Sequence, residues 1–151
     1  SFYFVIRLQI CFLYLQAAIG KLSVDEWVNG TVLYYWFEDN IFGLNDSLKN
    51  LILPLLSNYF IVSILTYLVL VLEFLLAFAL VMNKGNRKIL LYVGVLFHFF
   101  IWIVHGLPTF FITMTGALLI YIIPFYEHFD FSKIIEKIGL TPIKNTGANN
   151  V

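Results

Sequence analysis

Apolar positions in this chain cluster into long runs. The first, from Phe2 to Leu22, is broken only by Arg7, Gln9, Gln16 and Lys21. A second covers Tyr59 to Met82 and holds Glu73. A third, Ile89 to Leu107, holds His98 and His105, and a fourth, Phe110 to Tyr126, has no charge within it. At 1.5 Å of rise per residue, a run of ~20 residues crosses a hydrocarbon layer of ~30 Å. The pattern therefore predicts an all-α, multi-pass transmembrane bundle with four spans, at about 2–22, 59–82, 89–107 and 110–126.

The polar intervals predict the connections. Residues 23–57 carry Asp25, Glu26, Glu38, Asp39 and Asp46 among Trp27, Tyr34, Tyr35 and Trp36. Rings with one apolar and one polar side suit a segment lying at the membrane surface. Ser23 followed by Glu26 has the spacing of a capping box and predicts a short helix there, and a second short helix is expected from Asp46 towards Pro54. Residues 83–88 read as a tight basic turn, and Gly106 with Pro108 as another. The bundle then occupies 1–128 and a tail 129–151, where Phe131, Ile134, Ile135 and Ile138 share one face of an amphipathic helix ahead of a disordered end. Because the chain enters its first apolar run directly after Ser1, it reads as the C-terminal half of a longer domain with helices missing upstream.

Composition narrows the partners. Hydrophobic residues make up 61% of the chain and charged residues 12%, about half of what a soluble domain carries. The bilayer is the implied solvent and first partner. Net charge is zero without a basic tract, so a nucleic acid held by its phosphates is excluded. The lone Cys11 rules out an intrachain disulfide and a paired-thiol metal site, and no metal is expected. Lys and Arg concentrate at 84–88 and in the tail, which places both on the cytoplasmic side and the acidic 23–57 connection outside.

Ionisable groups inside spans cost ~3 kcal/mol or more unless they find a partner or a wet cavity. Counted from the helix ends, Glu73 and His98 lie at similar depth and are expected to meet across the hairpin. Lys21 and His105 lie together near the outer boundary, and Arg7, Tyr14 and Lys21 recur at heptad spacing as a polar stripe. Each has a plainer reading. Lys21 can snorkel to the headgroups, the Glu73 and His98 pair can be structural, and His105 can serve a helix end. Gln9 and Gln16 are expected to make helix-to-helix contacts, and the aromatic wealth to serve packing. The dipole of a helix starting at Ser23 disfavours an ammonium at Lys21, whereas Asp25 and Glu26 favour it. Lys21, Glu73 and His98 are accordingly the candidate catalytic residues, with Tyr14, Gln16, Trp27 and His105 as candidate substrate contacts.

The string from Gly20 and Lys21 through Ser23, Asp25, Glu26, Trp27, Asn29 and Gly30 to Thr31, followed by Phe97, His98, Gly106 and Phe110, resembles the horizontally transferred transmembrane domain. That membrane domain is shared with vitamin K-dependent gamma-carboxylase. Among bacterial members the chain looks most like the sporulation-delaying protein B group, which assists production of a secreted toxin peptide. The resemblance implies a lysine base at Lys21, a membrane histidine at His98 and a quinone-type cofactor among the helices. It also implies a secreted peptide and a companion maturation protein as partners. Two departures are expected to matter: no lumenal domain is expected after the last helix, and the carboxylase's paired lysines are here Gly20 and Lys21. Three readings follow: a factor for toxin maturation or export, a membrane enzyme of quinone-linked chemistry, and a structural or transport bundle.

Overall fold

The computed structural model describes residues 2–44 and 46–123, and these are helical with short connections. Helix α1 runs Phe2–Lys21, α2 Asp25–Val28, α3 Val32–Glu38, α4 Asp46–Leu56, α5 Tyr59–Ala77, α6 Lys84–His105 and α7 Pro108–Ile122, with a 3-10 turn over Phe78–Val81 after α5. The expected amphipathic tail at 129–151 lies outside the described residues, as do 124–126 of the fourth apolar run.

Among the described residues, three stretches are long and apolar enough to cross a membrane: Phe2–Lys21, Tyr59–Val81 and Lys84–His105. The expectation of four spans is corrected here. As described, α7 has 15 residues and so reaches only ~22 Å, short of the hydrocarbon thickness. Outward faces are largely apolar, with Phe12, Leu68, Phe60, Tyr92 and Ile112 all exposed. Water would penalise such faces and lipid would not. The protein is therefore a membrane protein.

Local chemistry accounts for the helix ends, and it departs from the sequence pattern twice. Ser23 does not cap α2: Val24 holds the N-cap position without a side-chain bond, and the Ser23 hydroxyl instead donates to the Gly20 carbonyl at 2.6 Å. The Glu26 half of the capping box thus has no Ser partner. The basic turn at 83–88 is largely the first turn of α6, because Asn83 Oδ1 accepts from Asn86 N at 2.9 Å and starts the helix at Lys84. Asn58 does the same for α5, accepting from Phe60 N and Ile61 N. Gly106 ends α6 with φ of 66°, a left-handed conformation that suits glycine, and Pro108 opens α7 where its missing N–H costs nothing.

Helix α1 packs along α5 and also touches α7, while α6 packs along α7. Between α6 and α7 the approach is close at Gly94, where an added Cβ would lie 2.9 Å from Leu118 Cδ1 and 3.3 Å from Leu76 Cδ2. Tyr14, Leu76, Leu118 and Tyr121 form the centre of the core, and Tyr121 donates to the Ala77 carbonyl at 2.7 Å. Consecutive helices α5 and α6 touch far less than α6 and α7 do. The space between them is where the site lies.

Candidate functional site

Lys21 ends α1, and its side chain is only 18% exposed. It doubles back along the helix: Nζ lies 3.4 Å from the Ala17 carbonyl, 5.1 Å from the centre of the Trp27 ring and 2.7 Å from Glu73 Oε1. Glu73 comes from α5 and is 7% exposed. Taken out of water, two such charges cost several kcal/mol each, which their attraction offsets only in close contact. The pair meets that condition through one carboxylate oxygen. Oε2 is buried and has no hydrogen-bond partner among the described residues.

The expected meeting of Glu73 with His98 does not occur. His98, 2% exposed on α6, shares a 3.0 Å hydrogen bond between its Nε2 and the hydroxyl of Tyr14 on α1. Phe97 and Phe110 lie against its ring, with centroids at 5.2 and 5.5 Å. Depth was counted from the ends of the apolar runs, whereas α6 starts at Lys84, ahead of Ile89. The partners follow from how α1 crosses both, and helix-end arithmetic carries no information about crossing.

Beside the ion pair, a cavity of about 890 Å³ opens between α5 and α6 beneath residues 33–42. Trp27, Trp36, Phe37 and Phe42 line it from the connection, Leu68 and Leu72 from α5, and Phe97, Phe100 and Val104 from α6. Lys21, Glu73 and His105 belong to the same wall, together with Tyr35 and Asp39. The volume falls within the ~300–1,000 Å³ of small-molecule sites, and the lining has their usual character, mostly apolar with a few polar groups.

His105 ties the roof of this cavity to α6. Its Nδ1 donates to the Phe42 carbonyl, and since a carbonyl can only accept, the hydrogen is on that nitrogen. Its ring meets those of Trp36 and Phe37 edge-on at 6.1 and 5.9 Å. Asp39 shapes the same roof by accepting from Ile41 N and Phe42 N, both at 2.8 Å. Those backbone donors, Phe42 first, hold its carboxyl below the ordinary range, with Lys49 adding to the effect.

Of the seven sequence candidates, Lys21, Glu73, Trp27 and His105 come together on the cavity wall. Tyr14 and His98 form a separate buried pair behind it. Gln16 does not join them: it is exposed on the outer side of α1 and, with Gln9, lines a shallow depression there. Trp36, Phe37, Phe42 and Asp39 were not singled out as site residues. Their one sequence signal was the density of aromatic side chains between 34 and 42, which packing at an interface explains equally well.

Over 124 residues the chain is 39% identical to the sporulation-delaying protein SdpB of Bacillus subtilis, a match covering 82% of this chain and 38% of that protein. The chain is homologous to SdpB. It is also 33% identical over 132 residues to the uncharacterised protein YitO of the same organism, covering 87% of this chain and 42% of YitO. The chain thus spans about two fifths of the length of SdpB and YitO. No protein-family model matches it. No solved structure matches it either. Neither SdpB nor YitO brings evidence for a carboxylase-like site.

Proposed function

We propose that this protein is a membrane component of a sporulation-delaying toxin system, and that it assists maturation or export of a secreted toxin peptide beside a companion maturation protein. Similarity to SdpB supports the first half. The observation that carries the second is the ion pair of half-buried Lys21 with buried Glu73 on the wall of a large apolar cavity. A bundle that only anchored the chain would have no need of an ion pair there, since apolar side chains of the same size would pack at lower cost. In this reading the 23–57 connection faces outward and the first turn of α6 faces the cytoplasm. The test is deletion of the gene followed by mass spectrometry of the culture medium. Loss of the mature extracellular peptide is the expected result, and an unchanged amount rejects the proposal.

A second reading is a membrane enzyme of quinone-linked, vitamin K carboxylase-like chemistry with Lys21 as base. It rests on the resemblance of the Lys21 to Thr31 string and is favoured by the aromatic lining of the cavity. Trp27, Trp36 and Phe97 would hold the flat apolar ring of such a cofactor, whose own contribution would be redox chemistry. The chain's part would be to exclude water and to move a hydrogen between Lys21 Nζ and Glu73 Oε1. Lys21→Arg should then fail to rescue Lys21→Ala, because a guanidinium keeps its proton. Rescue by arginine would favour the third reading, a structural or transport bundle in which the charge serves helix pairing.

A further inference from the structure

Residues 33–42 close the cavity as a compact piece. Asp39 accepts from Ile41 N and Phe42 N through its side chain, and its carbonyl accepts from Gly43 N at 3.1 Å. The Phe37 carbonyl accepts from Leu44 N at 3.0 Å, so the turn is bonded within itself. A Cβ at Gly43 would lie 2.1 Å from the Asp39 carbonyl oxygen, which shows how tightly the turn is drawn. A piece bonded in this way moves as a body more readily than it unravels. Its fixed side is α4 and α5, against which α3 packs. Lys49 on α4 donates to the Glu38 carbonyl at 2.8 Å and to Asn40 Oδ1 at 3.2 Å. From α5, Tyr67 and Tyr59 hold the residues just before it, donating to the carbonyls of Val28 at 2.8 Å and Asn29 at 3.1 Å. On the α6 side, the tie among the described residues is His105, through its bond to the Phe42 carbonyl and its edge contacts with Trp36 and Phe37.

The cavity beneath has two sides. Between α5 and α6 it opens towards lipid, where Leu68 and Phe100 line it and are also exposed. Towards water it is covered by the 33–42 segment. We infer that this segment is a door between water and the cavity, hinged on α4 and α5, and that His105 is its latch. The asymmetry of the ties carries the inference. Helix packing and the bonds of Lys49, Tyr59 and Tyr67 hold one side, and a single imidazole at the end of α6 holds the other. One hydrogen bond and two ring contacts are a small net hold, of the size that local opening of a folded protein overcomes. A water-borne solute enters when the door opens, whereas an apolar one can come from the lipid without it.

This inference rests on the cavity and not on the peptide role. Its test reads entry of a solute instead of peptide yield, so either can fail alone. The full-length protein, otherwise free of cysteine and reconstituted in lipid nanodiscs, carries Leu72→Cys on the cavity wall. The probe is a quaternary-ammonium methanethiosulfonate, whose charge keeps it out of the hydrocarbon. Its reaction should run at least about tenfold slower than with Asn86→Cys in the exposed first turn of α6. His105→Phe keeps the ring contacts and loses the donor, and should quicken the reaction at Leu72→Cys about fivefold. His105→Ala loses both and should quicken it by about tenfold or more. His105→Asn puts an amide N–H where Nδ1 stood and should stay as slow as the parent. Because His105→Phe preserves the packing, its rate decides even where His105→Ala fails to fold. Equal rates in the parent, His105→Phe and His105→Ala would overturn the latch. A parent rate equal to that at Asn86→Cys would overturn the door.

Discussion

At the scale of single residues, the chemistry rests on who meets whom. Lys21, Glu73, His98 and Tyr14 were each visible in the sequence as polar groups in apolar runs, since such groups are expensive in a bilayer and stand out against it. Their pairing was not visible. Lys21 folds back towards Ala17 to reach Glu73, and that leaves His98 to Tyr14. Side-chain direction and helix crossing decide this, and neither is written in residue spacing. The pair makes a sharp prediction. Glu73→Ala leaves an ammonium with no counter-charge and should cost about 3 kcal/mol, whereas Lys21→Met/Glu73→Leu should recover most of that loss. Thermal unfolding of the purified protein in detergent measures both. A double variant no more stable than Glu73→Ala would mean that the two charges are not coupled.

At the scale of elements, the three long spans were legible because a ~20-residue apolar run has few other uses. Their ends were not. Asn83 starts α6 ahead of the basic cluster, so Lys84, Arg87 and Lys88 are helical, and Ser23 yields the start of α2 to the backbone. The short α7 also contradicts its apolar run, because hydrophobicity reports the solvent and says nothing of where the helix stops. The contact of α6 with α7 depends on Gly94. Gly94→Ala should cost ~1–3 kcal/mol by overpacking against Leu118, and the cost should shrink in a Leu118→Ala background. Thermal unfolding of the two single variants and the double variant reads that coupling, and an unchanged cost would place the strain elsewhere.

The roof of the cavity is an element with a pH dependence. Backbone donors from Phe42 and Ile41 lower the Asp39 carboxyl below its ordinary value of 3.8. A lowered folded-state value means that the carboxylate's hold on the turn is fully present above the ordinary value and is lost as pH falls through the folded one. Exchange protection of the Ile41 and Phe42 amides should therefore stay constant on mild acidification and drop only below the usual carboxylate range. A drop near neutral pH would contradict that role of Asp39. In Asp39→Ala the two amides should exchange freely at all pH values.

At the scale of the whole molecule, composition was enough to identify the membrane as solvent, and similarity to SdpB agrees with the sporulation-delaying protein B group to which the sequence motif pointed. Sidedness belongs here too. With Cys11 replaced by serine, a cysteine at Asn40 should react with an impermeant thiol reagent in intact cells, and one at Asn86 only after the membrane is opened. The reverse pattern would invert the bundle and turn the roof of the cavity towards the cytoplasm.

The central claim is that the Lys21 and Glu73 cavity works in the protein and does more than hold it together. The double variant Lys21→Met/Glu73→Leu separates the two, because it keeps the packing while removing the polar pair. The deciding measurement is the yield of mature extracellular peptide from cells carrying this variant in the full-length protein at wild-type membrane level. The account predicts a fall of about tenfold or more. A yield equal to the wild type's would contradict it and leave the pair as a structural contact.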